Sequence, residues 1–443
     1  MTISMAPLGR RLAFMLRALR HRDYRLFFAG QLISLCGTWM TIIATGWLVY
    51  RLTGSALLLG VVTFVGQIPV LFLGPFAGLL ADRVDQRRAL VVLQTLSMVQ
   101  SFALAALTLA GHPTIGALIA LNLVQGIITA LDIPTRQAFL VHMIEDRDDL
   151  GNAIALNSSM FNAARIAGPA LGAVVIAAVG EGWCFFLDGC SFLAVIGAFL
   201  LMTPRRPVKP TARRGVKEDF LDGWHTVARR GPIRRIICLL ALVSLLGAPY
   251  LTLMPIFARS ILEGDAHTLG LLMGASGAGA FLGAAWLAGR RSVLGLGLVI
   301  PCAAGIFALS IIGFAWSRTL WVSLLFLFVG GGGLMIQMAA SNTILQTIVE
   351  DERRGRVMSF YMVAVIGMAP FGSLIMGSLS EQIGASLTIT LGAVLCGLAA
   401  ARFFTGLEEL RAAVRPIYRR IGILPEARTA TEAASRLSFE ARD

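Results

Sequence analysis

The sequence predicts an all-α integral membrane protein with twelve transmembrane helices in two bundles of six. Of its 443 residues, 56% are hydrophobic and 14% are charged, whereas soluble globular proteins carry about 25% charge. Apolar runs of about 20 residues, long enough to cross a bilayer, alternate with short polar segments rich in Arg. Residues 143–173 and 348–377 form a loose repeat, in which a charged loop leads into an apolar run carrying Pro between small residues. Two related halves with a site between them are typical of secondary transporters.

The apolar runs divide the chain into five segments. The predicted segments are an interfacial N-terminal segment with six Arg (1–25), a first bundle (26–203), a basic linker with an amphipathic helix (204–232), a second bundle (233–405) and a polar tail (406–443). The tail is predicted to begin with a short helix that ends before Pro416. The twelve predicted spans cover 26–50, 56–80, 88–110, 114–135, 150–178, 183–203, 233–259, 266–288, 293–315, 318–345, 357–379 and 384–405.

The distribution of cations predicts the orientation. If the N-terminus is cytoplasmic, the non-cytoplasmic loops carry only Arg51, Arg259 and Arg318 as Lys or Arg residues. Cytoplasmic loops of membrane proteins are enriched in Lys and Arg, so both termini are predicted to be cytoplasmic, in a bacterial cytoplasmic membrane. The net charge of +13 does not indicate nucleic acid, because the cations lie in loops beside apolar spans. Anionic lipid head groups are their expected partners.

A charged turn separates the second and third spans. Its charge alone predicts a positive-inside loop, but the spacing from Gly78 through Asp82 and Arg83 to Arg87 and Arg88 indicates a more specific role.

The turn resembles the loop between the second and third helices of the major facilitator superfamily, G-x-L-A-D-R-x-G-R-R. The sequence departs from this motif at Asp85, where Gly is usual, and at Gln86. In that family the charged side chains form a cytoplasmic cluster that locks one access state. We place Asp132 and Arg136, at the end of the fourth span, in the same predicted gating cluster. Asp82 is expected to meet the N-terminus of the eleventh span, where the helix dipole favours an anion.

The fifth span carries a second motif, Gly168, Pro169 and Gly172, within RIAGPALGA. It resembles the G-P-x-x-G-G/A element of proton-linked antiporters, which favours an exporter over an importer. Physically, Pro removes a backbone donor and bends the helix, and the two Gly let a neighbouring helix approach. A kinked packing helix without further function remains the alternative.

The predicted spans contain two carboxylates, Asp132 and Asp188, and these, together with Arg165 in the fifth span, are the candidates for proton coupling. A cation at the depth of Arg165 costs at least ~2.5–3.5 kcal/mol unless it has a partner or a watery cavity. From the rise of a helix, Asp132 is expected to reach Arg165 and to form an ion pair with it. Asp132 would then act as a gate and Asp188 would titrate; a purely structural ion pair is the alternative.

Polar residues at helical spacing predict a hydrated substrate cavity. The fourth span resembles the R-x-x-Q-G element of the superfamily, with Asn122 where proton-coupled members carry Arg. The predicted cavity residues are Gln31, Thr38, Asn122, Gln125, Asn157, Asn162, Arg165, Gln337 and Asn342. Hydrogen bonding between helices is the alternative role for such residues.

Several classes of function are excluded or unsupported. The chain has no Walker motif and no metal-ligand spacing, and its six Cys lie in or beside apolar runs as packing residues.

The segments 132–144, 155–172 and 354–377 resemble the superfamily branch that contains the enterobactin exporter, transmembrane secretion effectors and macrolide-efflux proteins. This resemblance, over residues 18–405, implies a proton-driven exporter of amphipathic small molecules such as siderophores or antibiotics. Such an exporter is not an enzyme, uses no cofactor beyond the proton motive force and acts as a monomer. Arg165 and the lack of an acid in the first span favour neutral or anionic substrates. The alternatives are a lipid or lysolipid flippase of the same fold and a non-transporting scaffold.

Overall fold

The computed structural model describes residues 16–81, 83–203, 225–290 and 292–420. In this part of the chain there are twelve helices long and apolar enough to cross a membrane, and no strand, which confirms the predicted fold class. The spanning helices are α1 (Arg22–Thr53), α2 (Ala56–Ala81), α3 (Gln86–Leu109), α4 (Ile115–Leu140), α5 (Leu150–Val179), α6 (Glu181–Leu201), α7 (Gly231–Ile261), α8 (Ala266–Ala288), α9 (Leu296–Trp316), α10 (Leu320–Ile348), α11 (Asp351–Met362 continuing through Met368–Ile383) and α12 (Ala385–Thr405). A thirteenth helix, α13 (Leu407–Arg420), follows the last span.

Local sequence explains where the helices begin and end. Gly54, in the left-handed region with φ of 65°, ends α1 and donates its N–H to the Tyr50 carbonyl at 2.8 Å. Asp85 begins α3, because its side chain accepts a hydrogen bond from the Arg88 N–H at 3.1 Å. Aspartate is a favoured N-cap, so this departure from the family motif supplies a helix start where Gly would only allow a turn.

The two bundles, α1–α6 and α7–α12, meet along two helix pairs. Helix α2 packs along α11, and α5 packs along α8. Glycines allow both approaches: a Cβ on Gly60 would lie 2.5 Å from the Ser373 carbonyl oxygen, and one on Gly270 would lie 2.2 Å from the Ala173 Cβ. Helices α2 and α5 of the first half correspond to α8 and α11 of the second half, so the two pairs are equivalent. This equivalence is expected from the repeat in the sequence.

The bundles contact each other closely at one end of the molecule. We call this end, where α1 meets α2 and α11 meets α12, the opposite end, because it lies opposite the end that carries the Arg-rich loops. Here the Ser55 hydroxyl and the Leu57 N–H both donate to Glu381, at 3.2 and 3.1 Å. Tyr50 of α1 is hydrogen-bonded to Ser260 of α7 at 2.7 Å. These bonds join the bundles at this end.

The bundles separate toward the other end, which we call the basic end, where α2 meets α3, α8 meets α9 and α12 meets α13. Along the face of α2 that meets α11, Phe64 packs edge-to-face against Phe371 with ring centroids 5.6 Å apart, and Leu71 contacts Gly367. Further along this face, a Cβ on Gly74 or Gly78 would have no atom within 4 Å. A cleft between the bundles therefore opens at the basic end.

Helices α7 and α11 contain π-helical turns, and the turn in α11 lies at the start of this cleft. The turns are Val243–Gly247 and Phe257–Ile261 in α7 and Val363–Gly367 in α11. Such turns break the regular hydrogen-bond pattern of a helix and often occur at functional sites. The turn in α11 ends at Gly367, which packs on Leu71 where the two bundles begin to separate.

Segments outside the spans differ in part from their prediction. A 3₁₀ turn (Arg17–Arg20) precedes α1, so Arg22 and Arg25 belong to the first span. Helix α13 continues through Pro416 to Arg420, so the prediction that it ends before Pro416 was wrong. Residue 412, whose carbonyl loses its helical partner to Pro416, is exposed, and water can replace that partner. Residues 1–15, most of the predicted linker (204–224) and the tail beyond 420 lie outside the described residues.

Candidate functional site

Arg165 lies in the middle of α5, next to the line along which the bundles meet. Its side chain is partly exposed, and no hydrogen bond or ion pair to it is found within the described residues. It lies near Tyr250 of α7, which belongs to the other bundle. Tyr250 is held in turn by a 2.6 Å hydrogen bond to Ser276 of α8.

The backbone at Arg165 also contacts the other bundle. Pro169, one turn along α5, has no N–H to donate to the Arg165 carbonyl. This carbonyl oxygen faces α8, where a Cβ on Gly277 would lie 3.3 Å from it. Helix α5 is nevertheless continuous from Leu150 to Val179, with Pro169 inside it.

Asp132 does not pair with Arg165, so that prediction was wrong. Its carboxylate instead binds Arg136, one turn along α4, with Oδ2 2.8 Å from the guanidinium. Gln94 of α3 donates to the other carboxylate oxygen at 2.8 Å. Helices α4 and α5 are consecutive but do not pack along each other, because α4 lies on α2 and α3 whereas α5 lies on α1 and α8.

Asp188 occupies a polar cluster inside the first bundle. The side chain is 2% exposed and lies between α1, α3 and α6. Thr41 and Ser101 donate to Oδ2 at 2.9 and 2.7 Å, while no donor to Oδ1 is found among the described residues. A Cβ on Gly37 would lie 2.6 Å from this Oδ1, so the glycine makes the room that the carboxyl occupies.

The predicted cavity amides of α4 and α5 are partly exposed. Asn122 donates to the Leu118 carbonyl at 2.8 Å and Asn162 donates to the Ser158 carbonyl at 2.9 Å, each within its own helix. Asn157 is likewise partly exposed. On α5 these amides lie between Arg165 and the basic end, on the part of the helix where the cleft widens.

Other predicted cavity residues are engaged within a bundle. Gln31 is 3% exposed and Gln337 is fully buried, so neighbouring helices cover them and they do not line an open cleft in this structure. Gln125 donates to Ser97 of α3 at 3.3 Å. Thr38 donates to the Ser34 carbonyl, and Asn342 accepts from Gln346, so both bond within their own helix.

The charged turn between α2 and α3 ties together parts of one bundle. Arg87 donates to the Phe199 and Leu200 carbonyls, both at 2.6 Å, and so caps the C-terminus of α6. Arg88 pairs with Asp85 at 3.4 Å, and Arg83 is exposed. Asp82, the central residue of the predicted cluster, lies outside the described residues.

Gly168 and Gly172 pack α5 against α1. A Cβ on Gly168 would lie 2.3 Å from the Trp39 Cβ and 2.9 Å from the Cys36 carbonyl oxygen. A Cβ on Gly172 would lie 2.7 Å from Ile43. These distances are too short for any side chain, so the glycines set the close approach that positions Arg165 in the same helix.

Gly168→Ala is therefore expected to destabilise the protein by about 1–3 kcal/mol, the usual effect of overpacking. Gly151→Ala is the matched control in the same helix, because a Cβ there has no atom within 4 Å and Ala favours a helix more than Gly does. Thermal unfolding of both variants in detergent tests this expectation. Equal unfolding midpoints for the two variants would contradict it.

A cluster of ion pairs that the sequence analysis missed joins the N-terminal turn to the start of α5. Asp149 binds Arg17 at 3.0 Å and both Arg20 and His21 at 2.9 Å. The hydrogen bond from His21, together with Arg20 and Arg17, holds the pKa of Asp149 below its ordinary value. The only sequence signal was the acidic run at 145–149, which is unusual at an end otherwise rich in Arg.

Asp149→Asn is expected to lower stability by an amount that depends on pH. Because the folded state lowers the pKa of this carboxyl, its contribution is complete above about pH 5 and is lost as pH falls through the folded-state value. The midpoint difference between wild type and Asp149→Asn should therefore shrink as the pH falls from 5 toward 3. Asp148→Asn is the control, since that side chain is exposed. A difference that grows on acidification would rule out this role.

Comparison with known proteins establishes the family. The model of the transmembrane secretion effector family matches residues 14–416. The chain belongs to this family of major facilitator transporters. Its fold and relatives are those of transporters and not of enzymes, and it is a multi-pass membrane protein. Within the described residues no group of three or more His, Cys, Asp or Glu side chains could hold a metal ion.

Two relatives illustrate what this transporter is similar to. The staphyloferrin A transporter of Staphylococcus aureus is 25% identical over 371 residues, which are 83% of this chain and 92% of the relative. The multidrug efflux pump Tap of Mycolicibacterium fortuitum is 25% identical over 415 residues, 88% of this chain and 98% of the pump.

Two solved structures share the fold. The nucleoside transporter NupG superposes with a TM-score of 0.66 at 14% identity, covering 87% of this chain and 98% of that one. A bacterial homologue of the human lysosomal transporter Spinster, in an inward-facing and occupied conformation, gives 0.68 at 14% identity, covering 88% and 97%.

Proposed function

We propose that this transporter is a proton-coupled exporter of amphipathic small molecules that works by alternating access. The observation that carries the proposal is Arg165, a cation in the middle of a spanning helix, partly exposed and without an ion-pair partner in the described residues. Placing such a charge in a membrane is costly unless it faces water or a ligand. Its position beside the widening cleft favours a role in binding substrate.

The charge of Arg165 favours neutral or anionic substrates. A guanidinium presents several N–H donors to a carboxylate or phosphate, and Asn157 and Asn162 of the same helix add neutral hydrogen-bonding groups toward the basic end. Siderophores and antibiotics are the substrate classes that we propose. The names of the two relatives, one a staphyloferrin A transporter and one a multidrug efflux pump, support this choice.

Asp188 is the proton carrier that we favour over Asp132. Asp132 is already paired with Arg136, so its charge is compensated. In the described part of the chain, Asp188 has only hydroxyl donors, and one of its oxygens has no donor. A buried carboxylate without a cation is costly, so we infer that Asp188 is protonated in part of the cycle. The proton motive force, and no bound cofactor, would drive export.

The structure represents one access state in this proposal. The bundles are joined at the opposite end and apart at the basic end. If the basic end is cytoplasmic, as its Arg-rich loops favour, this state would receive substrate from the cytoplasm. We further propose a bacterial cytoplasmic membrane, cytoplasmic termini and a monomer. In the other state, Asp82 would meet the N-terminus of α11.

Transport in proteoliposomes tests the proposed function. Purified protein, reconstituted with an imposed pH gradient, should move an anionic or neutral amphipathic drug or siderophore. This transport should stop when an ionophore removes the gradient. A flippase would move labelled lipid between leaflets instead, and a scaffold would move neither. Transport that is indifferent to the pH gradient would contradict proton coupling, and no movement of any soluble compound would contradict export.

A further inference from the structure

A groove at the basic end lies outside the transport cleft. It runs between α13 and the start of α9 and encloses about 260 Å³, close to the lower end of the ~300–1,000 Å³ of ligand pockets. Its apolar wall consists of Val293, Leu294, Leu298, Ile344, Leu410 and Val414. All of these belong to the second bundle or to α13, so the groove is separate from the line along which the bundles meet.

Helix α13 forms one wall because it is amphipathic. Its side chains at positions 407, 410, 414 and 418 are buried against the bundle, whereas those at 408, 409, 411, 415 and 419 are exposed. Arg235 of α7 fixes the start of the helix by donating to the Gly406 carbonyl at 2.9 Å and pairing with Glu409. The second bundle therefore covers the apolar face of α13, and the charged face is exposed.

The groove is positively charged at its rim. Arg411 and Arg415 line it, and none of its described lining residues is acidic. Neither guanidinium has a hydrogen bond or ion pair within the described residues. Arg290 lies near the same rim, where it donates to the Leu294 carbonyl at 3.0 Å and its guanidinium lies 5.3 Å from the Trp286 ring centroid. The free charges therefore favour an anionic group on the ligand.

The position of the groove along the membrane normal sets the kind of ligand. Helix α13 follows the last span after a single residue, Gly406, and α9 begins at Leu296. Trp286, near the end of α8, is 49% exposed, and exposed Trp side chains concentrate at the level of lipid head groups. With Trp286 at the head-group level, the apolar wall would be at the depth where acyl chains begin, and the two arginines would be at the depth of phosphates.

We propose that this groove binds an anionic glycerophospholipid of the adjacent leaflet. One acyl chain would lie along Leu298 and Val414, and the phosphate would bind Arg411 and Arg415. Charge complementarity carries the choice of ligand: a zwitterionic lipid has the same chains but adds a cation beside two guanidinium groups. Arginine binds phosphate through paired N–H donors.

Native mass spectrometry of the full chain, released from mild detergent, tests the proposal. The protein is incubated with phosphatidylglycerol or with phosphatidylcholine carrying identical acyl chains. Wild type is expected to retain one phosphatidylglycerol per chain and at least fivefold less phosphatidylcholine. In Arg411→Gln/Arg415→Gln, retention of phosphatidylglycerol should fall about tenfold, because basic residues near a membrane surface contribute substantially to binding anionic lipid. Arg419→Gln, an exposed position on the same helix outside the groove, should leave retention unchanged.

A variant that fills the groove distinguishes lipid binding inside the groove from lipid binding to a positively charged surface. A Cβ on Gly297 would lie at ordinary contact distance, 3.4 Å, from Leu410, so the larger side chain of Gly297→Leu should occupy the groove without altering its charge. This variant is expected to lose the lipid as the arginine variant does, with an unchanged unfolding midpoint as evidence of folding. If a folded Gly297→Leu variant retains the lipid, or if Arg419→Gln loses as much as the double variant, the groove is not the site. The absence of bound phosphatidylglycerol in wild type, or equal retention of both lipids, would also overturn the proposal.

Discussion

Asp188→Asn is expected to reduce transport driven by a pH gradient at least tenfold. Asparagine has nearly the same shape and can keep the hydrogen bond from Ser101 that now holds the carboxylate at 2.7 Å, but it cannot take up and release a proton. Export should then lose its dependence on the gradient, while binding of substrate in the cleft is retained. The measurement is uptake of an anionic drug into proteoliposomes, with and without the gradient, together with equilibrium binding of the same drug.

Thr41→Val is the matched control for this prediction. It removes the hydrogen bond at 2.9 Å that Thr41 donates to the same carboxylate oxygen, but leaves the ionisable group in place. We expect this variant to shift the pH dependence of transport and to retain coupling. A folded Asp188→Asn variant that still accumulates substrate in response to the gradient would show that another group carries the proton, and Asp132 would be the next candidate.

Arg165→Gln is expected to reduce export of anionic substrates by about ten- to a hundredfold. Hydrogen bonds to a charged group contribute about 1.5–3 kcal/mol, and each 1.4 kcal/mol corresponds to a factor of ten in affinity. Neutral substrates should be affected less, and cationic dyes should gain because a repulsive charge is removed from the cleft. Competition binding and transport of matched anionic, neutral and cationic compounds measure these effects.

Arg165→Lys provides the control, since it keeps the charge but loses the paired N–H donors of the guanidinium. It should retain part of the transport of anions. If Arg165→Gln folds, exports an anionic compound as wild type does and gives cationic dyes no advantage, Arg165 does not select substrates.

The fold could be predicted from the sequence because a bilayer leaves few choices. A spanning segment must satisfy its backbone hydrogen bonds internally, so apolar length and loop charge were enough to define twelve helices and their pairing into halves. The residues that begin or end a helix were harder to recognise. Asp85 appeared only as a departure from the family motif, yet it caps α3. Pro416 appeared as a helix end, yet α13 passes through it.

The candidate site could be predicted only in part, because depth along a helix does not say which neighbour a side chain meets. The rise per residue placed Asp132 and Arg165 within reach of each other, but α4 and α5 lie on different neighbours, and Asp132 already had Arg136 one turn away. The helical spacing of polar residues likewise did not show which of them face the cleft. Gln337 is buried inside its bundle, whereas Asn162 lies beside the cleft. The Asp149 cluster joins residues about 130 positions apart, which no local pattern shows.

Movement of the two bundles about the cleft can be measured directly as paired distances in the membrane-embedded protein. Spin labels on Ala155→Cys and Leu282→Cys, both exposed positions toward the basic end of α5 and α8, report on that end. Labels on Leu57→Cys and Ile383→Cys report on the opposite end, in a background where the exposed Cys238 and Cys302 are replaced by Ser. On changing pH or adding substrate, we expect the basic-end distance to shorten while the opposite-end distance lengthens. Distances that stay fixed at both ends, or that change in the same direction, would contradict alternating access.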